Sequence, residues 1–221
     1  AGKLGIGFTD ANVKVGNTAL DSLTTGNNNT AVGNNALTAN TTGGNNTAIG
    51  ALALDSNTTG DSNTTVGRNS LATNSTGDDN TAVGQSALAS NTTADNNTAV
   101  GRNALLLNTT GTQNVAVGAF ALDANTTSSN NTAVGYNAVS GNTTGTENTG
   151  IGRQALLTNS TGNYNVAIGV NALYQSTTAS YNTACGNSSL AANTTGAGNI
   201  ALGANALKLN TTGDYNTAVG Y

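Results

Sequence analysis

The residue type best placed to carry chemistry is asparagine followed two positions later by threonine or serine. Asn40, Asn57, Asn74, Asn91, Asn108, Asn125, Asn142, Asn159, Asn193 and Asn210 each open such a sequon, at equivalent positions of a repeated Asn-Thr-Thr-Gly-type segment. In a secreted protein the amide of such an Asn accepts an N-linked glycan, and a turn would present it to solvent. Asn28, Asn45, Asn63, Asn96, Asn130 and Asn187 match the same pattern. Sequons arise freely in a chain rich in Asn and Thr, so plain turn chemistry is the competing and simpler role.

Other chemistry is thinly provided for. The chain has no His, no Gly-x-Ser-x-Gly elbow and no pair of acids recurring at a fixed spacing, so no catalytic residue is assigned and no enzyme is expected. Asp78-Asp79 is the densest acidic pair. It falls in a turn, and nothing suggests the cleft across which a glycosidase would hold two carboxylates. The Gly-Gly-x-Gly-x-Asp pattern of calcium-binding rolls is missing, so neither metal nor cofactor is expected. Cys185, the single cysteine, stands in a column otherwise filled by Val, Ile or Leu, which predicts a small buried hydrophobe.

The elements that must position these residues are set by a repeat. Glycines recur every seventeen residues from Gly16 through Gly33, Gly50 and onward to Gly220 without a slip. A fixed short period means one structural unit stacked on itself. Four residues before each glycine stands an Asn: Asn12, Asn29, Asn46, Asn63, Asn80, Asn97, Asn114, Asn131, Asn148, Asn165, Asn182, Asn199 and Asn216. Stacked at the coil period, these amides can bond to the coils above and below, so a structural ladder at a corner is expected rather than a ligand site.

Between that Asn and the glycine lies a Thr-Ala-Val type triplet, as in Thr30-Ala31-Val32. Its β-branched flanks predict a short strand with the Thr and Val columns on the buried face. The Ala column then points to the opposite face, where small side chains let another surface approach. After the glycine, pairs such as Ala36-Leu37 and Ala104-Leu105 predict a second strand, and Asn40-Thr41-Thr42-Gly43 and its copies reverse the chain, with Asn and Gly supplying positive φ. Charges, only 7% of residues with a net of −4, fall at variable positions, which predicts a fixed interior and a free exterior. They form no basic stripe for nucleic acid, and no run is apolar enough to span a membrane.

The expected architecture is all-β: a parallel β-solenoid of 17-residue coils over residues 12–221, with residues 1–11 as an irregular cap or the end of a preceding domain. Each coil has a thin core, so burying a face against further copies would add stability, and a homo-oligomer is expected, with three-fold packing favoured.

The segments Asn29-Thr30-Ala31-Val32-Gly33, Asn46-Thr47-Ala48-Ile49-Gly50 and Asn165-Val166-Ala167-Ile168-Gly169 resemble the core of the YadA-like head repeat of trimeric autotransporter adhesins. Asn131-Thr132-Ala133-Val134-Gly135-Tyr136-Asn137-Ala138 is similar to arrays in phage tail-fibre-like proteins. The typical repeat of that family is shorter, about fourteen residues, and the Asn-Thr-Thr-Gly segment supplies the excess here. The resemblance implies a left-handed β-roll and a trimeric extracellular fibre or adhesin head, on a cell surface or virion, with a receptor or polysaccharide as partner. Two alternatives accompany it: a glycan-coated filament, and an ice-binding solenoid presenting Thr41-Thr42 and its copies. The second is weakened because adjacent Thr residues point to opposite sides.

Overall fold

The computed structural model of the chain describes residues 6–9 and 11–221, the first four by their backbone. The described residues form two compact units, one ending at residue 112 and the other covering residues 113–221. In the first, β1 (Ile6–Thr9) precedes β2 (Asn12–Val15), β3 (Thr30–Val32), β4 (Thr47–Ile49), β5 (Thr64–Val66), β6 (Thr81–Val83) and β7 (Thr98–Val100). The second contains β8 (Val115–Val117), β9 (Thr132–Val134), β10 (Thr149–Ile151), β11 (Val166–Ile168), β12 (Thr183–Cys185), β13 (Ile200–Leu202) and β14 (Thr217–Val219). Within each unit successive coils pair in parallel with a register of one period, as in Thr30↔Thr47 and Val166↔Thr183. The protein is thus an all-β parallel solenoid of 17-residue turns. Part of the expected cap departs from the parallel pattern, because β1 pairs antiparallel with β2. Residues 1–5 and 10 of that cap lie outside the described residues.

Each coil holds one strand, not the expected two. The Ala36-Leu37 step is a turn, yet it still bonds along the stack: Leu37 N donates to Ala53 O at 3.0 Å and Leu156 N to Ala172 O at 2.9 Å. The reason for the turn is backbone shape. Leu37 has φ 55°, Leu71 50° and Leu156 53°, and the columns of Asn35 and Asn28 are also left-handed, at 55° and 59°. Three left-handed residues per coil, only Gly198 among them a glycine, bend the chain tightly enough to close in seventeen residues. Each costs of order 1 kcal/mol, which the buried Leu and the axial hydrogen bonds offset.

Positive φ therefore sits elsewhere than expected. The Asn40–Gly43 segment and its copies contain none, whereas the register glycines do: Gly84 has φ 134°, and a Cβ there would lie 2.6 Å from the Gly101 carbonyl oxygen. No side chain fits between coils at that point. Gly43 serves close approach instead, since a Cβ would stand 2.5 Å from Asn40 Oδ1.

The faces are the reverse of those expected. Ala31, Ala48, Ala82, Ala133 and Ala167 are fully buried, while Ile49, Val66, Ile151 and Ile168 are 37–39% exposed. A three-residue strand sends its centre one way and its flanks the other, and coil width decides which goes in. The Leu column already fills the space facing the strand, so small side chains stand opposite it, Ala in most coils and the fully buried Thr65 in one. The coil around Gly150 shows this directly, since a Cβ on that glycine would stand 2.4 Å from Val139 Cγ2. Cys185 follows its column and is exposed, which corrects its expected burial.

Candidate functional site

Both Asn columns line the coil interior. In the first, the side chain bonds twice to the next coil. Asn148 Nδ2 donates to Gly162 O at 2.8 Å, and Asn148 Oδ1 accepts from the backbone N–H of Asn165 at 3.0 Å. The same bonds hold Asn29, Asn46, Asn63, Asn80, Asn131, Asn165, Asn182 and Asn199, all fully buried, and Asn97, equally buried, donates its Nδ2 to Gly111 O at 2.9 Å. Asn114 is equally buried and Oδ1 accepts from Asn131 N. Asn216 closes the series with its N–H on Asn199 Oδ1.

The second column corrects the expected exposure of the Asn40-type sequons. Asn40, Asn57, Asn74, Asn91, Asn108, Asn125, Asn142, Asn159 and Asn193 have no exposed surface, and Asn210 is half-buried. Asn74 Nδ2 donates to Asn57 Oδ1 and to Gly77 O, both at 2.9 Å. Asn159 Nδ2 does the same with Asn142 Oδ1 and Gly162 O. A sugar on such a nitrogen would displace these bonds and has no room in a closed coil. The sequons that do reach solvent are Asn28, Asn45, Asn96, Asn130 and Asn187, all exposed; Asn63 belongs to the buried ladder.

The second column is interrupted once. At Ser176 the hydroxyl is fully buried without a hydrogen-bond partner, and so is Asn159 Oδ1 one coil earlier. An Asn at 176 would have donated to that oxygen.

On the outside, each unit carries a sheet face of two columns. In the first unit Thr30, Thr47, Thr64, Thr81 and Thr98 run beside Val32, Ile49, Val66, Val83 and Val100. In the second, Val115, Thr132, Thr149, Val166, Thr183, Ile200 and Thr217 run beside Val117, Val134, Ile151, Ile168, Cys185, Leu202 and Val219. No charged residue belongs to either pair of columns. By contrast the Thr41 type is engaged along the stack, with Thr41 Oγ1 donating to Thr58 O at 3.0 Å.

Charge and aromaticity lie outside these two columns. Asp61, Asp78 and Asp95 stack in one column of the first unit. Gly44 N donates to Asp61 Oδ1 at 2.6 Å, Asp61 N to Asp78 at 2.7 Å and Asp78 N to Asp95 at 2.8 Å. In the second unit Tyr164 and Tyr181 stack with centroids 5.0 Å apart, and Phe120 meets Tyr136 edge-on at 6.2 Å. Burial raises the Asp55 and Asp123 carboxyls above the usual carboxylate range, partly opposed by hydrogen bonds from Thr38 and Ser140.

The second unit also has a groove of about 330 Å³, walled by Tyr174 and floored by Ala191, with Lys208 beyond it. No sequence motif marks Tyr174. The available signal was a column in which a small residue, Ala191, separates two large ones one coil away on either side. Among the described residues, no group of three or more His, Cys, Asp or Glu is placed to hold a metal, and no helix is long and apolar enough to cross a membrane.

No family model matches the chain, and neither does any curated protein or solved structure. Its likeness to the YadA-like and tail-fibre repeats rests on the residues quoted above.

Proposed function

We propose that this chain is a non-enzymatic segment of an extracellular fibre, an adhesin head or tail-fibre shaft, that assembles with copies of itself through the outward Thr/Val sheet face. The observation that carries the reading is the uncharged apolar face, with Ile49, Val66, Val117, Ile151, Ile168 and Leu202 each 36–39% exposed. At about 50 Å² per side chain, the five coils named in the first unit offer roughly 500 Å² and the seven in the second roughly 700 Å², the latter close to one partner's share of a standard stable interface. A second copy presents the same columns at the same coil spacing, so its ridges stay in step along the whole face. Three chains is the number implied by the family resemblance. The repeated surface then gives multivalent contact with a cell or polysaccharide, whose avidity exceeds that of any one site.

Native mass spectrometry tests this. The wild-type chain is expected at three chain masses, and the double variant Ile151→Lys/Ile168→Lys as a folded single chain. A wild-type chain that remains single at high concentration overturns the reading.

A second reading has its own support. The outward Thr column of the first unit is unbroken from Thr30 to Thr98 and flanked by Val or Ile, a regular array of hydroxyl and methyl groups suited to ordering water. This moves the ice-binding alternative from Thr41-Thr42 to Thr30-x-Val32 and its copies. Thermal hysteresis by a single chain, abolished by Thr64→Lys, would favour it over assembly. A glycan-coated filament would carry its sugars at the exposed Asn28, Asn45, Asn96, Asn130 and Asn187, and the mass before and after deglycosylation reports them.

A further inference from the structure

We propose that the groove of the second unit binds a pyranose that carries a carboxylate, such as a uronic acid unit of an acidic polysaccharide. The inference gives the adhesive reading a ligand class and rests on that reading for its biological sense, but the groove is complete within one chain.

The groove arises from three successive coils. Tyr174, Ala191 and Lys208 occupy the same register position, one after the leucine column. The small Ala191 between two long side chains leaves a recess, and its volume of about 330 Å³ lies at the lower end of the range for small-ligand pockets. One wall is the half-buried ring of Tyr174. An aromatic ring beside a recess offers its apolar body to the C–H face of a sugar and its hydroxyl to a sugar oxygen.

Lys208 supplies the selectivity. Its side chain is exposed, and among the described residues its ammonium has no ion pair or hydrogen bond. In a chain of net charge −4, one unpaired cation at a groove marks a place for an anionic group. A single ammonium, with no second cation among the lining residues, matches the one charge of a carboxylate better than a phosphate.

Polar groups complete the lining. Ser188 donates its hydroxyl to Asn187 Oδ1 at 3.1 Å, which leaves its lone pairs free to accept from a sugar hydroxyl. Asn171 also lines the groove, although its Oδ1 is buried. Gln175 is exposed at the rim.

The test is saturation-transfer NMR on the intact chain at low ionic strength, with digalacturonate and the corresponding neutral galactose disaccharide as probes. Digalacturonate is expected to receive saturation at its ring protons and to bind at least 5-fold more tightly than the neutral sugar. Lys208→Gln should weaken digalacturonate binding about 5- to 10-fold and leave the neutral sugar unchanged, whereas Tyr174→Ala should abolish transfer to both. Both side chains sit at the surface, and thermal melts confirm that the variants fold. Unchanged acid binding in Lys208→Gln, no contact with either sugar at millimolar concentration, or displacement by equimolar inorganic phosphate would each overturn the proposal. Sedimentation of the same samples separates the two claims. A chain that assembles but ignores the sugar refutes the groove alone, and one that binds the sugar yet stays single refutes the fibre reading alone.

Discussion

The two interior Asn columns look alike in composition, yet one is unbroken and the other admits a serine. Their hydrogen bonds explain the difference. In the first column Oδ1 accepts from a backbone N–H of the next coil, as Asn148 does from Asn165. In the second, Oδ1 accepts from the next side-chain amide, as Asn57 does from Asn74. Losing the first acceptor strands a main-chain donor in the interior, where no rotation can rescue it. Losing the second leaves a side-chain amide that keeps its other bond, as Asn193 keeps Gly196 O at 2.9 Å above Ser176. The same side chain is indispensable in one column and replaceable in the other because of what it satisfies.

The sharpest way to break that comparison is to make the same change in both columns. Asn148→Ser should destabilise the chain by about 3 kcal/mol and Asn142→Ser by about 1 kcal/mol, read from urea unfolding. Equal losses would show that the two columns do the same job.

Two interior exceptions extend the contrast, one compensated and one not. Val139 is the branched substitute in the leucine column, and it sits at φ 52°, a strained place for a β-branched residue. Its Cγ2 occupies the space that the missing Cβ of Gly150 would need. Gly150→Ala alone is therefore expected to cost about 2 kcal/mol, and Val139→Leu alone to change little, because relief of strain is matched by a void. The double variant should exceed the wild type by about 1 kcal/mol, a coupling that a double-mutant cycle measures directly. Additive effects would contradict the contact.

Ser176 is the uncompensated exception. Ser176→Asn would give Asn159 Oδ1 its donor and Asn193 its acceptor, and should raise stability by about 1 kcal/mol in thermal unfolding. A neutral or destabilising result would mean that the column is too tight there for an amide.

The smallest effect belongs to the half-buried acids on the outside. A carboxyl raised in the folded state makes its stabilising contribution in full below the unfolded value of 3.8 and loses it as pH rises through the higher folded value. Acidification from neutral pH thus relieves the burial cost at Asp123. Asp123→Asn should flatten that part of the stability–pH profile, although its hydrogen bond from Ser140, 2.6 Å in length, keeps the change small. A steeper profile would reverse the sign.

These contrasts mark what a reader of the residues can and cannot see. The coil length, the strand at Thr30–Val32 and the interior amides of the Asn29 type are legible, because an exceptionless period allows little else. The direction of the strand is not. Alternation groups Thr30 with Val32 but is silent on which side is inside. Apolarity favoured the Val, and the geometry of the Leu column overruled it. The left-handed Leu37 is also invisible, since leucine rarely adopts that conformation and only closure in seventeen residues demands it. The groove eluded the sequence because its parts stand one coil apart at a position that elsewhere varies freely.

The outward direction of the Val column underlies both the fold and the proposed assembly, and Cys185 reports on it. The measurement is the rate at which a thiol reagent modifies Cys185 in the native chain across a dilution series, with the Ile151→Lys/Ile168→Lys variant alongside. Rapid modification is expected in the variant and in dilute wild-type protein, with protection growing as wild-type chains assemble. Protection at every dilution in a folded single chain would place the column inside, and free reaction at every concentration would show that no copy covers it.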